Sequence, residues 1–481
     1  MKILLTGASG YIGKRLLVNL AEAGHQIIAC VRDPGRFTVP TKFNKQVTIF
    51  KIDFDETVDV INAPIDFDVA YYLIHSLSTG IGNFEEKEAR IAQNFTDYLD
   101  QTNAKQVIFL TGIINDEAEL SRHLSSRFRV ENILQQGRVP LTSLRAGIII
   151  GSGSASFELI RDLVEKLPVM IAPRWLDTRC QPIGIRNVLQ FLMGVMGKPE
   201  YYDQHYDIGC PDVLTYKEML LQYAEVRELK RWIFTVPVMT PRLSSYWLFF
   251  ITSTSYNLAV NLVESMKVDV IAEPNNLAED LEIELFDYKT SVAMAFSILE
   301  KEPIISSWKD SFSSSLAVGS LEQYSTLPTH GIFIDKREQL IEASEREFVI
   351  NNIWSIGGKN GWYYANFLWK IRGFLDKLVG GIGLRRGRTN PSHLERGDAV
   401  DFWRVLEANR AEGHLLLFAE MKLPGEAWLE FKVEEEEGIT SVKQRAIFLP
   451  HGISGRLYWY AVLPFHYFIF QGMLDRITDK N

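Results

Sequence analysis

Three glycines near the start of the chain have the spacing of a turn that binds a diphosphate. Gly7, Gly10 and Gly13 lie in the segment TGASGYIG, which follows a short apolar run and opens a helical pattern. Such a turn brings bare backbone N–H groups and a helix N-terminus against the ligand, and a larger side chain would obstruct the approach. The alternative is a tight turn with a purely structural role. We predict a dinucleotide site whose cofactor-binding residues include Thr6, Gly7, Ser9, Gly10, Tyr11, Ile12 and Gly13.

The residues after the second apolar run bear on the choice between NAD and NADP. Arg32 directly follows the run Gln26–Val31, and its planar guanidinium can hold a ribose 2′-phosphate with two charge-assisted hydrogen bonds. Arg36 could add a second positive charge, whereas Asp33 keeps NAD as an alternative because a carboxylate suits a free 2′-hydroxyl. Arg32 and Asp33 could also be solvated turn residues. We predict NADP as the cofactor, with NAD as the alternative.

Two further candidates stand at the ends of later apolar runs. Asp53 follows the run at 47–52 and could accept a hydrogen bond from an adenine amino group, or belong to an ordinary acidic loop. His75 follows the run at 68–74, and in doubly wound folds the carboxyl ends of the strands form the edge where ligands bind. Packing is the alternative role for His75. We include Asp53 and His75 among the predicted cofactor-binding residues.

The elements that must position these residues alternate between strands and helices. Short apolar runs with the length of buried strands lie at 3–5, 26–31, 47–52, 68–74 and 106–111. Leucines recur at helical intervals after the glycine turn, Gly24 provides a stop, and residues 84–100 form a second helical pattern. The opening is therefore a β-α-β unit, and we expect a parallel sheet.

These features resemble the extended and atypical short-chain dehydrogenases/reductases, including NmrA-like proteins with an NAD(P)-binding Rossmann fold. Beside the glycine turn, the resemblance rests on LRAG at 144–147, IGSG at 150–153, QPI at 181–183 and YDIGCP at 206–211. It covers residues 1–320. The resemblance implies an α/β fold with a doubly wound parallel Rossmann sheet and a small substrate lobe.

The catalytic residues of that family are only partly matched. The family uses a tyrosine as acid/base and a lysine four residues later, whereas this chain has His123 and Arg127 at those positions. Histidine can exchange a proton near neutral pH, arginine can bind ribose hydroxyls, and residues four apart share a helix face. Thr111 lies near the segment where the family has a Ser or Thr. We predict His123, Arg127 and Thr111 as catalytic residues, and the alternative is that hydride chemistry has been lost.

The C-terminal region changes character and contains six of the ten tryptophans. Alternating patterns at 415–421, 428–433, 442–448 and 457–462 predict antiparallel hairpins, and residues 465–477 predict a closing helix after Pro464. The segments WSIGG, LRRGR, DFWRV and EMKLPGEAWL resemble a DUF2867-type domain that is found fused to atypical short-chain dehydrogenases. The resemblance implies an α+β helix-grip (START-like) domain over residues 331–481. Its tryptophans could fill a core or enclose a lipid- or quinone-type ligand.

Composition limits the remaining function classes. A net charge of −9 argues against a nucleic acid as the main partner. The three cysteines lack CxxC spacing, which favours a reducing, cytoplasmic location, and no metal-ligand cluster is recognisable. No uninterrupted apolar stretch reaches the roughly 20 residues that span a bilayer. We expect a chain without a transmembrane segment, and peripheral contact with a membrane stays open.

Together these patterns predict an NADP(H)-dependent oxidoreductase that acts on a small apolar or conjugated substrate. One alternative is a non-catalytic NADP(H)-binding module that works as a redox sensor or assembly factor. Another is a protein that binds a hydrophobic ligand of the lipid or quinone type. The sequence leaves the oligomeric state open.

Overall fold

The computed structural model describes residues 1–34, 37, 39–75, 84–114, 122–236, 266, 268–301, 331–358, 360–378, 381, 383, 394–436 and 439–479. The chain divides into two compact units, Met1–Ser311 and Phe312–Asn481. The domain boundary that the sequence predicts, between residues 320 and 331, lies outside the described residues.

The first unit alternates strands and helices along the chain. Its described strands are β1 (Lys2–Leu5), β2 (Gln26–Val31), β3 (Val47–Lys51), β4 (Val69–Tyr72), β5 (Gln106–Gly112), β6 (Leu141–Ala146), β7 (Ile149–Ile150), β8 (Val169–Pro173), β9 (Arg179–Cys180), β10 (Ile183–Gly184), β11 (Gln204–Ile208), β12 (Leu214–Thr215) and β13 (Trp232–Val236). Its described helices are α1 (Tyr11–Glu22), α2 (Phe84–Leu99), α3 (Arg122–Gln135), α4 (Ala155–Lys166), α5 (Ile185–Gly194), α6 (Tyr216–Val226), α7 (Leu277–Asp280) and α8 (Tyr288–Lys301).

Seven of these strands form one parallel sheet in the order β3-β2-β1-β4-β5-β6-β11. The predicted α/β class and doubly wound parallel sheet are therefore confirmed. The strand order changes direction at β1, which lies between β2 and β4. In open sheets of this kind, ligands bind in the crevice outside the carboxyl ends of the strands where the order reverses.

Alternating residues of the central strand serve two separate cores. Ile3 and Leu5 pack in one buried cluster, on the side of α1 and α5, whereas Leu4 packs in the other, on the side of α2. This follows from the two-residue period of a strand whose two faces are both covered by helices. Helix α1 contributes its predicted stripe, including Leu16 and Leu20, to the first cluster. The crevice at the end of β1 is thus held between two packed layers.

A smaller lobe is built from the later part of the first unit. The pairs β7–β10, β8–β13 and β9–β12 are two-stranded ribbons beside α4, α6 and α8. Their shared core is apolar and contains Phe157, Leu163, Met219 and Tyr223. This lobe occupies the part of the chain where the sequence predicts the substrate lobe.

The second unit is an antiparallel sheet with helices. Its described elements are β14 (Phe333–Ile341), α9 (Arg346–Ile353), α10 (Asn366–Leu378), β15 (Ala399–Val400), β16 (Trp403–Asn409), β17 (His414–Ala419), β18 (Gly425–Glu436), β19 (Ile439–Pro450) and α11 (Gly452–Thr478). The sheet order is β14-β19-β18-β17-β16-β15, with every pair antiparallel. The predicted α+β character is confirmed, and the START-like assignment stays a prediction.

The tryptophans of the second unit lie in its interior. Trp354, Trp362, Trp369, Trp403 and Trp459 all belong to one buried cluster. The rings of Trp362 and Trp369 are 5.1 Å apart, a distance typical of aromatic pairs in cores. This packing favours the interpretation that the tryptophans fill a core.

One predicted strand of the second unit is wrong. Residues 457–462 belong to α11, which begins at Gly452 and continues through Pro464 to Thr478. Proline removes one backbone donor and usually ends or kinks a helix, so the sequence predicts a helix start after it. Helix α11 tolerates the proline because buried side chains on both sides of it, Trp459 and Phe470, anchor the helix to the core. Among the described residues, no helix is both long enough and apolar enough to cross a membrane.

Candidate dinucleotide site

The glycine turn leaves β1 at the crevice that the sheet order creates. Gly7 has a φ of +62°, a conformation that side chains disfavour, and a Cβ there would lie 2.7 Å from the Leu73 carbonyl carbon. A Cβ at Gly13 would lie 2.9 Å from Ala8 Cα and closer still to the Gly7 oxygen. Glycine is therefore required at Gly7 by the turn conformation and by the backbone of Leu73, directly after β4. At Gly13 it is required by the close approach of α1 to the turn.

The turn leads into the N-terminus of α1. Gly10 is the N-cap residue and provides no side-chain cap. Its own N–H donates to the Gly7 carbonyl (2.9 Å), which closes the turn. The first helical hydrogen bond runs from the Lys14 N–H to the Gly10 carbonyl, and the N–H groups before it have no acceptor within the helix. No acidic residue stands in the first turn. These features suit an anion, because the positive end of the helix dipole attracts negative charge.

Thr6, Ser9 and Ile12 have different surroundings within the turn. Thr6 is buried, and its hydroxyl donates to the Tyr71 carbonyl (2.8 Å) and accepts from the Leu73 N–H (3.2 Å). Ser9 is exposed, and Ile12 packs against the core. Thr6 thus fixes the end of β1 to β4, and Ser9 is the turn side chain that faces solvent.

Tyr11 connects the turn to the segment after β7. The Arg15 guanidinium lies over its ring (4.2 Å) and donates to the Ser152 carbonyl (2.8 Å). Burial raises the pKa of Tyr11 to about 12, although the Arg15 charge lowers it, and Glu158 raises it further. The Tyr11 hydroxyl therefore keeps its proton at neutral pH, and the contact of Tyr11 with a ligand stays a prediction. Arg15 is not among the residues predicted from the sequence, and its position one helical turn after Tyr11 is the signal for this contact.

Arg32 and Asp53 lie on the β2–β3 side of the turn. Arg32 directly follows β2 and is exposed, whereas Arg36 lies outside the described residues. Asp53 is exposed after β3, and its Oδ1 accepts from the Asp55 N–H (3.1 Å), so it closes a local turn. Asp55 in turn pairs with Lys87 of α2 (3.0 Å). Arg32 is a cation available to a ligand, and Asp53 partly serves the loop.

His75 lies on the opposite side of the turn, is itself exposed, and contacts a buried carboxylate. Its Nδ1 is 3.5 Å from Oε1 of Glu88, and the Ser126 hydroxyl donates to Oε2 of the same carboxylate (2.6 Å). Burial would raise the pKa of Glu88, but the hydrogen bonds from His75 and Ser126 and the Arg127 charge outweigh it, so the pKa is well below its usual range. Glu88 is thus a buried anion behind His75.

Glu88 and Ser126 are not among the residues predicted from the sequence. Glu88 lies on the buried stripe of α2 that continues with Ala92, Phe95 and Leu99. A carboxylate on an otherwise apolar stripe is the signal that could have identified it, because such a group needs buried partners.

Arg127 is buried beneath the ends of two strands. Its guanidinium donates to the Ile74 carbonyl (3.1 Å) and the Leu110 carbonyl (2.9 Å), and it lies over the Phe109 ring (4.8 Å). Backbone groups just beyond β4 and within β5 therefore occupy the donors that the family's lysine position was expected to offer to ribose. In this arrangement Arg127 joins α3 to the sheet edge.

The remaining catalytic candidates are Thr111 and His123. Thr111 lies in β5, is buried, and its Oγ1 has no hydrogen-bond partner among the residues that the structure describes. His123 lies in the first turn of α3, four residues before Arg127 as predicted, and its side chain is outside the described part. A buried hydroxyl without a partner is costly, so Thr111 is suited to receive a polar atom of a ligand.

The sheet order sorts the candidates into two groups around the turn. Arg32 and Asp53 follow β2 and β3 on one side of β1, whereas His75 and Thr111 belong to β4 and β5 on the other. A dinucleotide that crosses the sheet edge with its diphosphate at the turn would meet one group at each end. The glycine cradle and the uncapped helix fit such a ligand.

Comparisons with known proteins agree with this geometry. Residues 7–150 match the profile of a family described as NAD(P)H-binding, and residues 329–473 match one described as a protein of unknown function, DUF2867. No protein of curated function matches in sequence.

Solved structures resemble the first unit. A nucleoside-diphosphate-sugar epimerase from Staphylococcus aureus is 14% identical, with a TM-score of 0.50 over 61% of this chain and 100% of the other. A UDP-glucuronic acid 4-epimerase from Bacillus cereus in complex with NAD is 14% identical, with a TM-score of 0.44 over 63% of this chain and 97% of the other. The chain thus carries an N-terminal NAD(P)H-binding Rossmann domain, with the fold shared by short-chain dehydrogenases and nucleotide-sugar epimerases, followed by a C-terminal DUF2867 domain.

Proposed function

We propose that the protein is an NADP(H)-dependent oxidoreductase that acts on a small apolar or conjugated substrate. The observation that carries the cofactor choice is Arg32, an exposed cation directly after β2, the strand that pairs with β1 beside the glycine turn. A guanidinium at this point suits a 2′-phosphate, whereas NAD sites usually place a carboxylate there. NADPH supplies a hydride when it is bound, and the protein supplies binding and orientation.

A titration of both cofactors tests this choice. Arg32→Glu is expected to weaken NADPH binding by about tenfold or more, because it replaces a charge-assisted hydrogen bond by repulsion, and to leave NADH binding nearly unchanged. Lys105→Glu is the matched control. Lys105 is also exposed, but it precedes β5 and so lies at the amino ends of the strands, away from the glycine turn. Equal or tighter binding of NADH by the unmodified protein would contradict NADP(H) preference.

The apolar lobe supports the substrate class. A pocket within it is lined mainly by apolar side chains of α4, α6 and the intervening segment, including Leu159, Trp175 and Met219. The space inside it is too small for a substrate in this conformation, so the support lies in its apolar lining and not in its volume. We assign proton transfer to His123 and substrate or cofactor orientation to the hydroxyl of Thr111.

NADPH oxidation in the presence of quinones or aldehydes tests the chemistry. His123→Ala is expected to abolish turnover while NADPH binding persists, because hydride transfer depends on a proton source. Thr111→Ala is expected to lower both turnover and NADPH affinity, because it removes a hydroxyl that we assign to orientation. Arg127 has a positioning role in this proposal. Its replacement by Lys is expected to lower stability as well as activity, since a single ammonium cannot span both backbone carbonyls in the same way.

A second candidate function is a non-catalytic NADP(H)-binding module. The engagement of Arg127 with the Ile74 and Leu110 carbonyls favours it, because the residue at the lysine position then has a structural partner instead of a ribose. Such a module should bind NADP(H) without consuming it and change its limited-proteolysis pattern on binding. Turnover of NADPH by the purified protein would exclude this candidate.

A further inference from the structure

Helix α11 is apolar on two opposite sides. One side packs on the core through Trp459, Phe470 and Met473, all buried. The other side exposes Leu457 by 65% and Phe468 by 65% to solvent. Surface helices normally place polar residues on the side away from the core, so this second side needs a separate explanation.

Helix α10 repeats the same feature. Trp369 and Gly373 face the core, whereas Phe367, Phe374 and Leu378 are exposed, Phe374 by 56%. The two helices carry half of the exposed large hydrophobic side chains found among the described residues, 12 of 24. Single exposed apolar residues are ordinary, but a concentration of this kind marks an interaction surface.

The two helices contact each other through their inner sides, so their exposed sides belong to neighbouring helices. The Arg372 guanidinium donates to the Tyr458 hydroxyl (2.9 Å), and the rings of Trp369 and Phe470 are 6.3 Å apart. The exposed apolar sides of α10 and α11 are called the apolar face below. Because the opposite side of each helix is fixed to the core, the apolar face can lie along a surface but cannot insert as a span.

The exposed charges that α10 and the first 22 residues of α11 contribute are cationic, although the whole chain carries −9. Beside them, Arg337 of β14 lies over the Tyr467 ring and is paired with Asp335. Lys370 on α10 and Arg456 on α11 are exposed, and α11 has no acidic residue between Gly452 and Met473. The one acid of α10, Asp376, is buried and accepts from the backbone N–H of Lys422 (2.8 Å). Apolar and aromatic side chains beside lysine and arginine, without acids, are the composition of helices that lie on anionic lipid.

We propose that the apolar face of α10 and α11 docks this protein on the surface of an anionic membrane. The exposed leucine and phenylalanine side chains enter the boundary between headgroups and acyl chains, and Lys370 and Arg456 meet the anionic headgroups. The proposal is independent of the proposed redox function, since it rests on the second unit alone. It also explains why two helices retain apolar sides that the core does not use.

Flotation of the full-length protein with vesicles tests the proposal. Vesicles of phosphatidylcholine mixed with phosphatidylglycerol are expected to carry the protein, and vesicles of phosphatidylcholine alone to carry clearly less. High salt should reduce the difference, because the attraction between the cations and the anionic lipid is screened. Leu457→Glu and Phe374→Glu should each reduce binding by about tenfold or more, since each loses buried apolar area and gains a repelled charge.

Leu340→Glu is the matched control. Leu340 is 67% exposed on β14 of the same unit but does not belong to either helix, so its substitution should leave flotation unchanged. Circular dichroism and thermal unfolding of each variant establish that it is folded. Failure of the unmodified protein to float, or equal flotation of all variants, overturns the proposal. The proposal is also overturned if light scattering shows a dimer that Leu457→Glu dissociates and the protein does not bind vesicles, because the apolar face is then an interface between two copies.

Discussion

Three glycines around α1 provide a test that separates ligand binding from folding. At Gly13, a Cβ would meet Ala8 Cα at 2.9 Å and the Gly7 oxygen at a shorter distance, whereas real Cβ contacts stay beyond 3.0 Å. Alanine there forces α1 away from the turn by the better part of an ångström. Overpacking of this kind costs roughly 1–3 kcal/mol, partly offset by about 1 kcal/mol of helix propensity. Gly13→Ala should therefore lose both stability and NADPH affinity.

Alanine at each of the other two glycines should lower either NADPH affinity or stability, but not both. At Gly10 the backbone is extended (φ −78°), and a Cβ would lie 3.1 Å from the Gly7 oxygen, so alanine requires a shift of a few tenths of an ångström and should still fold. Its methyl group nevertheless occupies the space of the diphosphate, and we expect NADPH affinity to fall by about tenfold or more. At Gly24 φ is +83° and no atom lies within 4 Å of a Cβ, so alanine costs about 1 kcal/mol of backbone strain without affecting the site.

Fluorescence titration with NADPH and thermal unfolding of the three variants supply the two measurements. We expect Gly10→Ala to lose NADPH affinity alone, Gly24→Ala to lose stability alone, and Gly13→Ala to lose both. If Gly10→Ala binds NADPH as well as Gly24→Ala does, the turn is not a diphosphate cradle, and the assignment of the site must be abandoned.

Three further predictions concern the second unit. Glu420→Gln should lower the free energy of unfolding by about 3 kcal/mol in urea titrations, because it leaves the fully buried Arg404 guanidinium short of its counter-charge, while Glu347→Gln in an exposed pair should change it little. Burial lowers the pKa of His466 to about 4, so the protein loses stability as the pH falls from about 6.5 towards 4. The loss in the free energy of unfolding should be about 2 kcal/mol near pH 5, and His466→Leu should remove it in the same titrations. The pKa of His414 is raised by its carboxylate partners, so its contribution to stability is fully present below about pH 6.5 and disappears as the pH rises through the raised pKa. His414→Gln should therefore lower the free energy of unfolding only at acidic and neutral pH.

Much of the first unit could be predicted from local patterns. The run Gln26–Val31 coincides with β2, and the helix predicted after the glycine turn ends at Glu22, just before Gly24. A strand covered on both faces reads as a continuous apolar run, and a helix on one face of a sheet shows a clear stripe, so both signals are local. The turn itself was recognisable because its glycines satisfy sterics that operate within a few residues.

The contacts that define the site could not be predicted in the same way. Arg127 reaches carbonyls 53 and 17 residues away in the sequence, and Glu88 receives the Ser126 hydroxyl across 38 residues. Such pairs depend on how α2 and α3 lie on the sheet, which no spacing encodes. Arg127 joins elements through these contacts, and its role toward a ligand stays a prediction.

The missed part of α11 has a different cause. A helix that is apolar towards the core and also on its outer side has no clear 3.6-residue period, and residues 457–462 then resemble an alternating strand. Pro464 strengthened that error because proline usually precedes a helix or ends one. The feature that defeated the pattern is the exposed apolar side, the same feature that predicts a membrane surface as its partner.

Thr111 offers a way to ask whether the site is built for a ligand that the folded chain lacks. Its buried Oγ1 has no hydrogen-bond partner among the described residues, and an unpartnered buried hydroxyl costs about 1–3 kcal/mol. Thr111→Val removes the hydroxyl and keeps the shape, so the protein without cofactor should be as stable as before or more stable, while affinity or turnover falls. Thr111→Ser retains the hydroxyl and should retain activity. Thermal unfolding with and without NADPH separates these effects, since the gain in melting temperature on adding NADPH should shrink in Thr111→Val. A Thr111→Val protein that is less stable without cofactor would mean that the hydroxyl already has a partner in the fold, and its assignment to ligand orientation would then be wrong.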